Sequence, residues 1–438
     1  MISVISTSQG GRKEMENQTT ERKYIAQIEL ILEAFRGQVA VFPEDWEKRP
    51  EGADYLYRTG VVLVRDKDVP RVVELFQGGR PDEGGIGGVT RLLLPDRVPP
   101  EAPEDRSLTQ RFLKYADLRL GRGVATPEHL FYVTPSVSPC PATEPEEMTP
   151  GAPPAPLLPT PYLSAGAADG RGVKVVVLDV GWSDAPAAYW LAGVTGDPEN
   201  AFDGSGRIRP YAGHGTFIAG VMRAIAPNVE IVVKSYFTAA GAMWEFDLAQ
   251  ALDEILDLAP DIISLSAGTR TRFDLAPLAL DVFVQTRLNR VNGLTLVAAA
   301  GNESTRDYFW PAAFPEAVGV GALADNGRDR AWFSNFGGWV DVYAPGEHLV
   351  NAFLTGDYEC TEPPNTGQLR SFAGMARWSG TSFATPLVAG LIAGRMSVTG
   401  ESAKQAADAL LAFALTQPEP GTGPVLRAGD ALASLGQN

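Results

Sequence analysis

The sequence has few of the residues and segments that mark several common classes of protein. Among 438 residues there are only two cysteines, Cys140 and Cys360, which lie far apart and in unlike contexts. We expect two free thiols, as in a reducing compartment, and the alternative is one disulfide between them. Only three histidines occur, and no cluster of cysteine and histidine has the spacing of zinc ligands.

Basic charge and long apolar runs are also scarce. The chain carries 37 basic and 53 acidic residues, a net charge of −16. It therefore lacks the overall basic charge of a protein that binds nucleic acid. It also lacks the excess of lysine and arginine that attracts proteins to anionic membranes. No run approaches the roughly 18 apolar residues of a membrane span. The longest, Pro386–Gly394, is typical of a buried helix.

The amino terminus, MISVISTSQGGRKEMENQ, contains no apolar segment of the kind found in secretory signals. With 45% hydrophobic residues, the chain has enough apolar surface for a sizeable core. We expect a cytoplasmic globular protein, and export without a signal peptide is the alternative.

Composition divides the chain into four segments. Residues 1–54 are polar, with one amphipathic helix predicted over Tyr24–Phe35. In residues 55–134, strand and helix patterns alternate within a short stretch, which predicts a small α+β module. Residues 135–165 include ten prolines between Pro135 and Pro161, which predicts an extended linker. The remaining residues, 166–438, form a larger region.

In the larger region, apolar runs of strand length alternate with helical patterns. The first four strands are nearly continuous apolar runs, which indicates burial on both faces. We therefore predict an α/β fold with a doubly wound, mostly parallel sheet and helices on both faces. The predicted strands are Val173–Leu178, Val229–Lys234, Asp261–Leu265, Leu294–Ala299, Ala317–Gly321 and Val340–Tyr343, and the predicted helices are His214–Ala224, Glu245–Leu258, Leu278–Val291 and Ser382–Met396.

Two polar residues stand where such sheets carry functional groups. Asp179 follows the apolar run VKVVVL, at the carboxyl end of a buried strand. His214 lies in GHGTFIAGV, where flanking glycines let other groups approach its ring. Taken singly, Asp179 is more typical of a turn, and His214 is equally typical of a structural histidine.

Two further residues have the chemistry of an acyl-transfer site. Ser382 opens the apolar helix in SGTSFATPLVAG, where free N–H groups and the helix dipole would stabilise an oxyanion. Asn302 follows a predicted strand in AAAGN and has an amide that can donate to that oxyanion. The simpler interpretations are a helix N-cap and a turn residue. Together with Asp179 and His214, they describe a serine nucleophile, its general base and the group that orients the base.

These motifs resemble those of the subtilisin-like serine peptidases over residues 171 to about 435. The serine, histidine and AAAGN motifs occur in family order, as does the later FSNFG…VDVYAPG over Phe333–Gly346. The resemblance implies a serine endopeptidase with Asp179, His214, Ser382 and Asn302 at its site, and no required cofactor. It also implies that a peptide or protein substrate would pair with Ser264, Leu265, Ser266, Ala267, Gly268, Ala299, Ala300 and Gly301.

The sequence departs from the family pattern at two places. Val180 stands where the family usually has a hydroxyl residue, which predicts looser hydrogen bonding around the Asp179 carboxylate. The polar segment Thr355–Ala376 precedes the serine motif, and we interpret it as a surface loop or an insertion.

The resemblance also bears on the amino-terminal half. It implies that the module is a prodomain that inhibits the enzyme, with self-cleavage between Thr134 and Ala165. The alternative is an unrelated accessory domain. Oxygen-rich loops such as Asp197–Gly204 are a weak candidate for Ca²⁺, which many relatives bind, and are more typical of turns. Two other functions use the same fold: a peptide ligase or macrocyclase, and a catalytically silent scaffold.

Overall fold

The computed structural model describes residues 28–48, 52–82, 86–133, 143–148, 168–185 and 188–435. An antiparallel sheet with helices forms the amino-terminal module, as the alternating pattern of that segment predicts. β2 is the central strand, pairing with β1, β4 and β5. The elements of the module are helix α1 (28–34), β1 (Val39–Phe42), β2 (Tyr55–Arg65), α2 (Val69–Leu75), β3 (Arg80–Pro81), β4 (Val89–Leu93), α3 (Leu108–Leu120) and β5 (Ala125–Tyr132).

A seven-stranded parallel sheet forms the centre of the larger region. Its strand order is β13-β12-β11-β10-β6-β8-β7. The strands of this region are β6 (Lys174–Asp179), β7 (Thr195–Gly196), β8 (Glu230–Ser235), β9 (Ala242–Trp244), β10 (Ile262–Leu265), β11 (Thr295–Ala299), β12 (Ala317–Leu323), β13 (Val342–Pro345), β14 (Leu349–Glu359), β15 (Leu369–Trp378), β16 (Pro418–Glu419) and β17 (Gly423–Pro424). Its helices are α4 (His214–Ile225), α5 (Glu245–Ile255), α6 (Leu278–Thr286), α7 (Thr381–Thr399), α8 (Ala403–Leu415) and α9 (Ala428–Leu435).

Short 3-10 helices occur within and between these elements. They are Trp46–Lys48, Asp66–Asp68, Tyr189–Leu191, Leu256–Leu258, Arg272–Asp274 and Leu288–Arg290. Two of them continue α5 and α6, which accounts for the longer helices predicted from the sequence there. None of the helices in the described ranges combines the length and hydropathy that a bilayer-spanning helix needs.

Apolar residues on both faces of each central strand explain why the sheet is buried between two layers of helices. Along β6, Val175 and Val177 pack in a core that includes α4 and α7. The alternate residues Val176 and Leu178 pack in a second core with α5 and α6. Successive side chains of a strand point to opposite faces, so the run VVVL supplies both cores. The predicted fold class is confirmed.

The module docks its sheet on the same helices α5 and α6. From β2 and β5, Leu63 and Phe131 join the core that those helices form. On the other face of β2, Val62 and Val64 pack in a separate core with α2 and α3. β5 also pairs with β9, so the antiparallel sheet continues from the module into the larger region.

Buried charged groups reinforce this docking. Arg91 donates to Glu128 at 3.1 Å and to Asp247, on α5, at 2.7 Å. His129, on β5, donates through Nδ1 to Glu245 at 2.6 Å, and both side chains are almost fully buried. Desolvation raises the pKa of the Glu128 carboxyl, and the charge of Arg91 opposes that rise. Because Glu128 is fully buried and Arg91 nearly so, removing either partner of this pair would be costly.

The segment Thr355–Ala376, interpreted as a loop or an insertion, forms most of a hairpin. β14 and β15 pair antiparallel from Leu349↔Trp378 to Glu359↔Leu369. The described part of the predicted linker, residues 143–148, pairs with this hairpin through Glu146 and Arg377. The helix predicted over Tyr24–Phe35 lies partly outside the described residues, and the segment boundaries stay a prediction.

Candidate active site

Asp179 and His214 are joined by a short hydrogen bond. His214 is the first residue of α4, and its Nδ1 lies 2.7 Å from Asp179 Oδ2 at the carboxyl end of β6. The other carboxylate oxygen accepts the Val180 backbone N–H at 2.8 Å. Both side chains are buried, at 0% and 1% exposure. His214 Nε2 has no hydrogen-bond partner among the described residues, so the ring can accept a proton there.

Gly215 allows the start of α4 to lie close to the turn after Asp179. A Cβ atom at Gly215 would lie 3.1 Å from Val233 Cγ1 and 3.3 Å from Asp179 Cβ, and closer still to the Gly181 carbonyl. A larger residue there would move His214 away from its carboxylate partner. The sequence GHG therefore has a structural reason in this fold.

Val180, where the sequence departs from the family pattern, makes two backbone hydrogen bonds beside Asp179. Its N–H holds the Asp179 carboxylate, and its carbonyl accepts the Ser235 hydroxyl at 3.0 Å. The Val180 side chain is buried in the core that includes Tyr211 and Phe237. The turn after Asp179 is therefore held by packing and by main-chain hydrogen bonds.

Asn302 is oriented by the residue that precedes Ser382. Its Oδ1 accepts both the N–H and the hydroxyl of Thr381, each at 2.9 Å. A backbone N–H can only donate, so this atom is the carbonyl oxygen, and the amide nitrogen points away from Thr381. Thr381 Oγ1 in turn accepts the Gly301 N–H at 3.2 Å. The sequence analysis did not predict that Thr381 orients Asn302, because a threonine beside a serine at the start of a helix is typical of ordinary capping.

Ser382 lies at the start of α7, close to His214. The rings of Phe383 and Trp378, which flank the start of α7, lie 5.5 Å and 5.9 Å from the His214 ring. Ser382 is fully buried, and its carbonyl accepts the Ser266 hydroxyl at 2.9 Å. The fold thus brings Asp179, His214, Ser382 and Asn302 to one edge of the parallel sheet, where open α/β sheets carry their sites.

The end of β5 lies against one of the segments predicted to bind substrate. Tyr132 donates its N–H to the Gly268 carbonyl at 3.1 Å, and the Gly268 N–H donates to the Tyr132 carbonyl at 3.0 Å. The next residue, Val133, donates to the Gly241 carbonyl at 2.7 Å. A strand of the module therefore pairs with two segments of the larger region, as an added strand would.

The other predicted substrate residues lie within the sheet or directly after it. Ser264 and Leu265 pair with both β6 and β11, and Ala299 pairs with β12. Ala267 and Ala300 are buried, and the Ala300 N–H donates to Val320. Whether these residues contact a substrate stays a prediction.

Two carboxyl groups, those of Glu199 and Glu303, are buried near the site, and the sequence analysis did not predict this. Burial raises the pKa of Glu199 to about 7, although the Gly213 N–H donates to this carboxylate at 2.8 Å. Gly213 directly precedes His214. Burial raises the pKa of Glu303 to about 8, against the opposing effects of the Arg270 charge and the Asn335 amide. Both lie in segments typical of turns, and nothing in the local pattern predicts their burial.

Residues 143–148 are tied to the hairpin by side-chain and backbone contacts. The buried Glu144 accepts the Tyr358 hydroxyl at 2.9 Å and the Thr361 N–H at 2.7 Å. Trp378, beside His214, donates its indole N–H to the Thr143 carbonyl at 2.6 Å. This part of the predicted linker is therefore held on the hairpin next to the histidine.

Two carboxylates of the candidate calcium loop, Asp197 and Asp203, have partners in the protein itself. Asp197 pairs with Lys234 at 2.7 Å, and Asp203 Oδ1 accepts the N–H groups of Ser205 and Arg207. A cluster that the sequence did not suggest consists of Asp325, Glu347 and His348, whose ligand atoms lie within 4.8 Å of one another. Exposed acidic groups commonly have this spacing without an ion, so we assign no metal to it.

Cys360 is a buried free thiol. Burial, reinforced by the negative charge of Glu144, raises the pKa of this thiol to about 12. Cys140 lies outside the described residues. At neutral pH the Cys360 thiol is therefore protonated and a poor nucleophile.

The sequence of the larger region is similar to those of known proteins. The profile of the Subtilase family matches residues 170–417. An alkaline protease from Alkalihalobacillus alcalophilus is 31% identical over 51% of this chain and 54% of its own length. Subtilisin Savinase from Lederbergia lenta is 30% identical over 51% of this chain and 76% of its own length.

A solved structure extends the similarity to more of the chain. Fervidolysin from Fervidobacterium pennivorans aligns with a TM-score of 0.57 at 18% identity, over 86% of this chain and 61% of its own. At that identity the likeness concerns the fold alone. The chain spans about half the length of the alkaline protease that it matches. Since the family profile covers more than half of its residues, this chain belongs to the subtilase family.

Proposed function

We propose that the protein is a serine endopeptidase that acts through an acyl-enzyme on Ser382. The observation that supports this most directly is the Asp179–His214 pair, with Nδ1 engaged and Nε2 without a partner in the described part of the chain. That arrangement leaves Nε2 as the atom that accepts a proton, as general-base catalysis requires.

The first half of the proposed reaction forms the acyl-enzyme. Ser382 Oγ attacks the carbonyl carbon of the substrate while its proton passes to His214 Nε2, and Asp179 stabilises the resulting imidazolium. The Ser382 N–H and the Asn302 amide donate to the developing oxyanion. The carbon–nitrogen bond then breaks, and the same proton passes from His214 to the leaving amine. The acyl group remains on Ser382.

The second half releases the acid. A water molecule gives a proton to His214 and attacks the ester carbonyl, and the same two donors hold the second oxyanion. The bond to Ser382 Oγ breaks, and the proton on His214 returns to that oxygen. If an amine took the place of this water, the product would be a ligated or cyclic peptide.

We also propose that the module inhibits the enzyme in the same chain and is removed by self-processing. The pairing of Tyr132 with Gly268 supports this, because a strand in that place excludes an extended substrate. β5 ends at Tyr132, and residues 143–148 are held on the hairpin beside His214. The connecting stretch 134–142 therefore joins two segments that are held beside the site, and we place the cut there.

One experiment tests both proposals. Purified wild type and Ser382→Ala are incubated side by side, labelled with a fluorophosphonate, and analysed by mass spectrometry for all new termini. We expect labelling of wild type alone and a Ser382-dependent cut within 134–142. Absence of labelling would refute the peptidase. Labelling without that cut would refute self-processing alone, and products lighter by one water would indicate ligation.

A further inference from the structure

The pairing of Tyr132 with Gly268 indicates which residue of a bound peptide meets the nucleophile. The two residues exchange both backbone hydrogen bonds, at 3.0 and 3.1 Å, in an antiparallel bridge. In that register, the peptide residue two positions further on lies opposite Ser266. Ser266 donates its hydroxyl to the Ser382 carbonyl at 2.9 Å. That peptide residue therefore lies beside Ser382, and in the proposed reaction its carbonyl is the one that Ser382 attacks.

The direction of its side chain follows from the same strand. Residues two apart in a strand point to the same face. The Tyr132 ring lies 6.4 Å from the ring of Phe309. The side chain of the peptide residue two positions on therefore also points to the face where Phe309 lies.

Phe309 fills the space between the segments that follow β10 and β11. Its side chain is fully buried. A Cβ atom built at Gly268 would lie 2.7 Å from Phe309 Cδ1, and one built at Gly301 would lie 3.0 Å from Phe309 Cγ. Neither glycine could carry a side chain beside this ring. The two segments are therefore separated by an aromatic ring of the protein itself.

The backbone next to Phe309 is held in place. Trp310 and Thr269 exchange two hydrogen bonds of 2.9 Å each. Thr269 follows Gly268, so the ring is anchored to the segment that it contacts. Moving Phe309 away to admit a large substrate side chain would break these bonds or expose the ring.

We infer that Phe309 is a specificity-determining residue that restricts the residue before the scissile bond to small side chains. This inference rests on the proposed peptidase function. The sequence of the proposed self-cleavage stretch, TPSVSPCPA over 134–142, agrees with it, since it contains no aromatic and no long side chain. Glycine, alanine, serine and threonine are the residues that we expect this site to accept best.

The test uses the full-length protein after incubation for self-processing. Peptide p-nitroanilides that differ only in the residue before the anilide, alanine or phenylalanine, are compared by kcat/KM. We expect kcat/KM of wild type to be about tenfold or more higher for the alanine substrate. This is the range over which a small pocket discriminates between side chains of different size. Phe309→Ala should raise kcat/KM for the phenylalanine substrate about tenfold or more, so that most of the preference for alanine is lost.

A matched variant controls for the loss of a buried ring. Phe314 is buried, and its ring lies 4.7 Å from that of Trp310. Phe314→Ala should lower stability and leave the order of substrates unchanged. If Phe309→Ala does not fold, Phe309→Leu should still raise kcat/KM for the phenylalanine substrate relative to alanine.

Two outcomes would overturn the inference without touching the peptidase. They are a wild type that prefers phenylalanine before the scissile bond and a folded Phe309 variant in which the ratio of kcat/KM between the two substrates is unchanged. A wild type that is neither labelled by a fluorophosphonate nor active on any peptide would refute the proposed function itself.

Discussion

Glu303 should make the stability of the protein depend on pH in the direction opposite to that of an ordinary carboxylate. Burial raises its pKa from 4.5 to about 8, and its Oε1 has no partner among the described residues. Between those two pH values, the unfolded chain releases a proton that the folded protein retains. The free energy of unfolding therefore falls as pH rises from about 4.5 to about 8, by up to about 1.4 kcal/mol per pH unit.

The magnitude follows from the same difference. A shift of about 3.5 pH units corresponds to an upper limit of about 5 kcal/mol. Glu303→Gln removes the charge and keeps an oxygen that can accept the Asn335 amide. We expect this variant to be more stable than its parent by about 2–5 kcal/mol at pH 9 and nearly equal at pH 4.5.

The measurement is denaturant unfolding at several pH values between 4.5 and 9. Both proteins carry Ser382→Ala, so that self-digestion does not interfere. Glu316→Gln is the control, because Glu316 is exposed and its substitution should leave the pH dependence as it is. If the curves of the Glu303 variant and its parent run parallel over this range, the raised pKa of the buried Glu303 carboxyl is refuted.

Three further predictions concern the site and the module. Ser382→Ala and His214→Ala should each abolish nearly all turnover, and the double variant should add little, as steady-state kinetics would show; additive losses would contradict a shared mechanism. Asn302→Ala should lower kcat by about 10²–10³ with KM little changed, and full activity would refute its oxyanion role. Glu128→Ala should destabilise the uncut protein by about 3–5 kcal/mol, measured by unfolding in the Ser382→Ala background, because Arg91 loses a buried partner; an unchanged midpoint would refute that account.

The polar residues of the site could be predicted because each follows or opens an element with a strong local pattern. Asp179 ends the apolar run of β6, and Asn302 follows that of β11. His214 and Ser382 lie at the starts of α4 and α7, whose apolar residues extend over several turns. Such patterns depend on residues near in sequence, which is why the chain alone indicates them.

The contacts missed in the sequence join segments that are far apart along it. The buried Glu144 accepts hydrogen bonds from Tyr358 and Thr361, which lie more than two hundred positions away in the sequence. The hairpin escaped prediction because β15 has exposed residues interspersed with glycine and alanine, which is also typical of a loop. Likewise, the hydrogen bond from Asn335 and the charge of Arg270 act on Glu303 from about thirty positions away, and no local period encodes such interactions.

If the module inhibits as proposed, its docking and its occupation of the cleft would be coupled. β5 is a strand of the module's own sheet, and its His129 contacts Glu245 at the start of α5. Its last residue, Tyr132, pairs with Gly268. Its end cannot leave Gly268 unless the chain bends after Phe131, which is buried against α5 and α6. While the chain is uncut, rebinding of β5 is intramolecular and therefore favoured by a high effective concentration. A cut within 134–142 removes that advantage without changing a single contact of β5, so self-processing would weaken inhibition through the tether alone.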